Sequence, residues 1–377
     1  MEHTNLRVLA SVVAGLMVSG CNVYDASLVG SATDGPYRGP PRPDIPDDGS
    51  DTGQLMFRIF DVPLSGEPAF WDGIGRNLDG YTTTVDSIAE RQCDPPVGAS
   101  VSVDGENGVD NTMGKELLPY IELLIPCLED ELAASHLRGE GTLLLWIQGW
   151  NGMKDDSRVT VSLLVAADGT SVAPDDVMWD MATHQLVLAS DGVTPAPAPS
   201  SQQTDTYFMR PESFTGSSNP IPVLRDVAGY IADGTLVYTI PERGDIPLNA
   251  GIGSLTIRVT DGMILAELNE DFTRITSAAL SGRFGLSDLL SAGLSIGICQ
   301  DIRDSVERRF EPLLDVKSSA SAAPGGDCEA MSLGIPFQGA VTDITLETGV
   351  PLRAGSNPPL PNACTRPDPD NNPLCPM

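Results

Sequence analysis

The chain has 377 residues, in which 22 Lys and Arg face 52 Asp and Glu, for a formal charge of −30. A surface this acidic repels nucleic-acid phosphates, which excludes nucleic acid as a partner, and it disfavours direct adhesion to anionic lipid headgroups. Aromatic residues make up only 5%, which counts against a sugar-binding platform of stacked rings.

Residues 1–21, MEHTNLRVLASVVAGLMVSGC, begin with a polar stretch containing Arg7 and continue as an apolar run from Val8 to Val18. Eleven apolar residues are too few to cross a hydrocarbon core of about 30 Å, so the run reads as a secretory signal. Val18-Ser19-Gly20-Cys21 resembles the lipobox of bacterial lipoproteins, which implies that Cys21 is lipid-modified and becomes the new N-terminus. The expected location is extracytoplasmic, anchored by lipid to the bacterial cell envelope at the outer membrane. Residues 22–53 are rich in Pro, Gly and Asp and read as a disordered tether, because they lack the apolar surface that offsets ordering entropy.

Residues 54–345 read as a β-rich globular body, with two subdomains meeting near 170–225. Strands are expected at Leu55–Phe60, Thr142–Ile147 and Arg158–Val165, the last two joined through Asn151-Gly152. Asp233-Gly234 and Asp261-Gly262 both read as two-residue hairpin turns, because Asp-Gly supplies the positive φ angles such turns need. Arg274–Phe284 alternates and is a further strand. Helical spacing appears in Thr112–Leu124, in Leu128–Leu137, after Ser287, and along Ile302, Val306 and Phe310. These elements predict a mainly β fold: an antiparallel β-sandwich-like body with a few short appended helices, stapled by disulfides. Residues 346–377 form a Pro-rich tail.

Six cysteines remain beyond Cys21: Cys93, Cys127, Cys299, Cys328, Cys364 and Cys375. Without CxxC spacing or nearby histidines they read as disulfides and not as a metal cluster. Their grouping suggests Cys93–Cys127, Cys299–Cys328 and Cys364–Cys375, each closing a loop worth roughly 3–4 kcal/mol.

The stretch VDGENGVDN, residues 103–111, concentrates carboxylates, carboxamides and glycines. As a calcium loop it offers Asp104, Glu106, Asn107, Asp110 and Asn111, with Asp79 from the neighbouring DGIGRNLDG stretch, since calcium takes six to eight oxygens. The other reading is a turn in which Asp and Asn bond their own backbone, and in which Asp110, Asn111 or Thr112 caps the next helix. The ligand spacing of an EF-hand is missing. No cofactor other than calcium is indicated.

Asn77-Leu78-Asp79-Gly80, Cys93, residues 104–111, Asn151-Gly152 with Asp155-Asp156, Leu280–Phe284 and Asp327–Ser332 together resemble a group of myxobacterial cell-envelope lipoproteins with no assigned activity. The likeness spans most of residues 72–343 and implies a secreted, lipid-anchored architecture without implying a mechanism.

Catalytic signals are sparse. Gly293-Leu-Ser295-Ile-Gly297 matches G-x-S-x-G, but none of His3, His136 and His184 follows Ser295, as a hydrolase of that type requires. Asp155-Asp156 and Asp175-Asp176 are pairs that 52 acidic residues produce by chance. Two functions are carried forward: a non-enzymatic binding or structural module with calcium-stabilised loops, and an extracytoplasmic carbohydrate- or polymer-active hydrolase using acidic residues.

Overall fold

The computed structural model describes residues 36–46, 49, 51–89, 91–119, 141–170, 179–180, 185–186, 206–209, 211–215, 221–242, 244–249, 254–295, 307–342 and 346–348. Eight strands carry the fold: β1 (Gly53–Asp61), β2 (Leu143–Trp150), β3 (Asp156–Thr170), β4 (Leu224–Ala232), β5 (Thr235–Thr239), β6 (Ser254–Leu268), β7 (Arg274–Gly285) and β8 (Ala330–Val341). Each pairs antiparallel with the next in sequence, and β8 returns to pair with β1. The result is one barrel-like sheet closed on itself, and this replaces the expected pair of facing sheets. The β3–β4 ladder joins strands on either side of 170–225 directly, as in the pairing Val159↔Gly229.

Alternation explains the closure. Phe57 and Ile59 of β1, Leu145 and Ile147 of β2, Val161 and Leu163 of β3, Leu236 and Tyr238 of β5, and Leu333 and Phe337 of β8 belong to one buried apolar cluster. Side chains at every second position fill the lumen, which an eight-stranded barrel is just wide enough to hold. An apolar lumen is the reverse of an outer-membrane barrel, whose interior is polar. Among the described residues no helix is long and apolar enough to cross a membrane.

The two Asp-Gly pairs part company here. Asp233 (φ 47°) and Gly234 (φ 82°) form the expected tight turn between β4 and β5. Asp261 (φ 50°) also adopts a positive φ, yet β6 runs straight through it. The second hairpin is therefore corrected to a bulge: the register against β7 shifts between Thr260 and Met263. Before the bulge Ile257 and Val259 face the core cluster; after it Ile264, Ala266 and Leu268 do. One extra residue has changed the parity and kept the apolar side chains inward.

Three patches of the barrel's outer wall are also apolar, and each is covered. Met56, Leu144, Leu164 and Ala166 pack with Met209 and Phe214. Val237, Met263 and Leu265 lie under Tyr37 and beside Tyr230. Ala279 meets Trp71, Ile74 and Val109 from the long β1–β2 connection. Tyr37 lies within the expected tether, so the disordered assignment of 22–53 is corrected for residues 36–46, whose apolar and hydrogen-bonding contacts hold them on the barrel. Helix α1 (Leu286–Ser295) follows β7 where a helix is expected, but it starts one residue earlier, so Ser287 lies inside it and not at its cap.

Candidate functional site

The β1–β2 connection forms a cover over the outer face of β7 and β8, and carboxylates hold it in shape. A short turn of 3-10 helix, Pro68–Gly73, buries Trp71, whose Nε1 donates to the Ser65 carbonyl at 2.8 Å. The chain beyond it lacks regular ladders, so its backbone N–H groups need other acceptors. Asp79 accepts from the Tyr81 N–H at 2.8 Å and the Gln92 N–H at 3.3 Å. Asp104 accepts from the Thr83 N–H at 2.5 Å, and Asp110 from the Leu78 N–H at 2.7 Å. Asp315, next to the Val316–Ala330 bridge that leads onto β8, accepts from the Ser332 N–H at 2.7 Å and from the Thr112 hydroxyl at 2.8 Å. Asp315 is thus the barrel-side member that ties the cover down.

These four carboxyl groups line one small cavity together with Cys93 and Cys328. Its volume is about 20 Å³, enough for a single water and far below the size of an organic substrate. Burial raises the Asp315 carboxyl to about 6. Burial, joined by the charges of Asp79 and Asp315, raises Asp104 to about 7. Asp110 is pushed well above the ordinary carboxylate range by burial and then by its three acidic neighbours. Asp79 is raised too, again mainly by burial.

Two buried cations, Arg283 and Arg76, act on these carboxyls through their charge. Arg283 of β7 is fully buried, with its Nε 3.0 Å from Asp261 Oδ2. Its remaining nitrogens donate to the carbonyls of Leu78 and Lys317, both at 2.7 Å, and to Gln92 Oε1 at 3.1 Å. Arg76 donates to the carbonyls of Asp261 and Tyr37.

The expected calcium set is dispersed. Asp79, Asp104 and Asp110 do converge, but Glu106 and Asn107 sit exposed on the turn Glu106–Gly108, with Asn107 at φ 54°. Asn111 turns away to β8 and the next helical turn: its Oδ1 accepts from the N–H groups of Gly334 and Gly114, and its Nδ2 donates to the carbonyls of Ile74 and Gly334. Among the described residues no three His, Cys, Asp or Glu side chains form a group that could hold a metal. Asp79, Asp104 and Asp110 accept backbone N–H groups and Asn111 accepts the Gly114 N–H, which is the geometry that the turn-and-cap reading describes. Asp315 is the member that sequence reasoning missed; its one signal is a lone carboxylate between Leu314 and Val316.

The disulfide pairing is corrected as well. Cys93 bonds Cys328, 235 residues away in sequence, which rules out Cys93–Cys127 and Cys299–Cys328. Short backbone pairings align the two strands of chain around it: the Cys328 N–H donates to the Asp94 carbonyl at 2.8 Å and the Asp94 N–H to the Gly326 carbonyl at 2.9 Å. Cys21, Cys127, Cys299, Cys364, Cys375, the three histidines and Asp175-Asp176 lie outside the described residues. Ser295 ends α1 and is not on a strand-to-helix elbow. Asp155 and Asp156 serve a turn: Asp156 accepts from the N–H groups of Asn151 and Arg158, and Asp155 from that of Asp233.

No protein family, curated protein or solved structure matches this chain.

Proposed function

We propose that this chain is a secreted cell-envelope protein, anchored by lipid on Cys21, that works as a non-enzymatic binding or structural module. The observation that carries this reading is the buried Cys93–Cys328 bond between distant parts of the fold, since structural disulfides of this kind persist in oxidising compartments outside the cytosol. The leader ending in Val18-Ser19-Gly20-Cys21 supplies the anchor, and the resemblance to myxobacterial envelope lipoproteins agrees with it.

The geometry weighs against the hydrolase alternative. A glycosidase needs two carboxyls flanking a sugar-sized cleft. Here the converging carboxyls enclose room for one water, and each already accepts a backbone N–H. In this reading the acidic cluster works on the protein itself, shaping the cover.

Mass spectrometry of protein extracted from membranes tests the assignment. The expected species begins at an acylated Cys21 and carries the Cys93–Cys328 link. A chain beginning at Met1, or one with Cys93 and Cys328 reduced, overturns it.

A further inference from the structure

We infer that residues 36–46 act as a strap that decides which side of the barrel faces the lipid surface: the flank of β5 and β6 beside the cover. The inference rests on the lipid-anchored reading above and adds an orientation to it.

The strap is built into the barrel wall. Tyr37 packs over Val237, Met263 and Leu265. Its N–H donates to the Asn77 carbonyl at 2.9 Å, and its carbonyl accepts from Arg76 Nη1 at 3.0 Å. Farther along, the Pro40 carbonyl accepts from the Tyr230 hydroxyl at 2.6 Å. Arg42 donates to the carbonyls of Ser157 and Ala228, both at 2.6 Å, and stacks 4.5 Å above the Tyr230 ring. Beginning over β5 and β6, the segment crosses to β4 and ends at the β3–β4 ladder. Prolines at 36, 40, 41, 43 and 46 fix φ and reduce the entropy lost on docking.

The strap relocates the point from which the tether leaves. β1 begins at Gly53, paired with Trp150 at the mouth of the β2–β3 turn. The turns at 151–155, 233–234 and 269–273 all lie at that end of the barrel, because each leads from an even-numbered strand to the odd-numbered one after it and connections alternate between the two ends of an antiparallel sheet. An undocked chain would leave from this short-turn end, with up to about 110 Å of contour back to Cys21. With the strap in place the fixed point is Tyr37, beside Asn77 of the cover, and the contour to Cys21 is at most about 55 Å. The formal charge of −30 pushes the body away from an anionic bilayer, so the attachment point sets the orientation. The short-turn end is presented outward.

Energy transfer to an acceptor dye on lipid headgroups tests this. The acylated full chain is placed on vesicles of phosphatidylethanolamine and phosphatidylglycerol, with a donor attached through an azide-bearing amino acid. The donor sits at Val85 in the cover (74% exposed) or at Met153 in the short-turn end (63% exposed). Halving the contour and moving the exit predicts transfer about twofold or more higher from position 85 than from position 153. Tyr37→Ala with Arg42→Ala should bring the two values together. Inserting a Gly/Ser stretch directly after Cys21 should do the same without touching the barrel, so the test survives if the double variant fails to fold. Equal transfer in the unaltered chain, or more from position 153, overturns the inference. A chain that does not stay with the vesicles refutes the lipid anchor instead, and the two failures are read on different signals.

Discussion

Asn111 pairs with Gly334 as one strand pairs with another: its Oδ1 accepts the Gly334 N–H at 2.9 Å and its Nδ2 donates to the Gly334 carbonyl at 3.1 Å. A side chain has stood in for a peptide unit, docking the cover on β8 where no continuous ladder joins them. The same amide bonds Gly114 N–H and the Ile74 carbonyl, so all its capacity is used. Asn111→Ala leaves several buried groups without partners, at about 1–3 kcal/mol each. Thermal melting should fall by roughly 6–12 °C for a loss of about 3 kcal/mol. Gly334→Ala should be comparably harmful, since a Cβ there would lie 2.4 Å from the Ile74 carbonyl oxygen and 2.8 Å from Asn111 Nδ2.

The acid cluster gives an unusual pH dependence. The folded values of Asp315 (about 6) and Asp104 (about 7) lie above the ordinary 3.8, and Asp110 and Asp79 are raised as well. A carboxyl raised on folding binds its proton more tightly in the native state, so its stabilisation is complete below about pH 4 and is lost as pH rises through about 6–7. Melting temperature should therefore climb on acidification from pH 8 to pH 5. Relief of the overall negative charge acts in the same direction, so the control is Asp110→Asn, which keeps the shape and removes the proton. That variant should flatten the slope. An unaltered slope would show that Asp110 contributes nothing to it.

Removing the disulfide should be costly. The chain-entropy model gives about 5 kcal/mol for a closed loop of 235 residues. Cys93→Ser with Cys328→Ser should lower the denaturation midpoint accordingly. Amide exchange should accelerate first in the cover, around residues 79–94, because the barrel ladders do not depend on the bond. Peptide mapping under non-reducing conditions checks the pairing directly.

Asp261 and Arg283 form a testable couple. Arg283 is fully buried, whereas Asp261 is a quarter exposed, and they meet at 3.0 Å. Asp261→Ala strands a buried guanidinium and should cost about 3–5 kcal/mol. Arg283→Met in the same background should recover part of that loss, although Leu78, Gln92 and Lys317 then lose their donor. A double-mutant cycle measures the coupling.

Local signals were legible in the sequence wherever the structure is local. The strands at 55–60, 142–147, 158–165 and 274–284 and the turn at Asp233-Gly234 follow from alternation and from the φ demand of Asp-Gly. Asp261-Gly262 carries the same signal, yet the chain continues; only the register against β7 distinguishes a reversal from a bulge, and register is a property of two strands. Closure was hidden for the same reason, since it depends on β8 finding β1 across nearly the whole chain. Of the site, Asp79, Asp104 and Asp110 stood out because glycines surround them. Asp315 did not, because its partners Thr112 and Ser332 come from elsewhere in the sequence. Proximity along the chain misled the cysteine pairing, where the fold brings remote segments together.

That remote bond has a consequence for biogenesis. Under the export proposed above, a chain threading N-terminus first would display Cys93 and Cys127 together long before Cys328 emerges. An oxidase acting on whatever thiols have arrived joins the wrong neighbours first, and β1 meanwhile waits for β8. On the export proposed above, maturation would call for thiol–disulfide reshuffling after translocation is nearly finished, and its yield would depend on an isomerase more than on an oxidant.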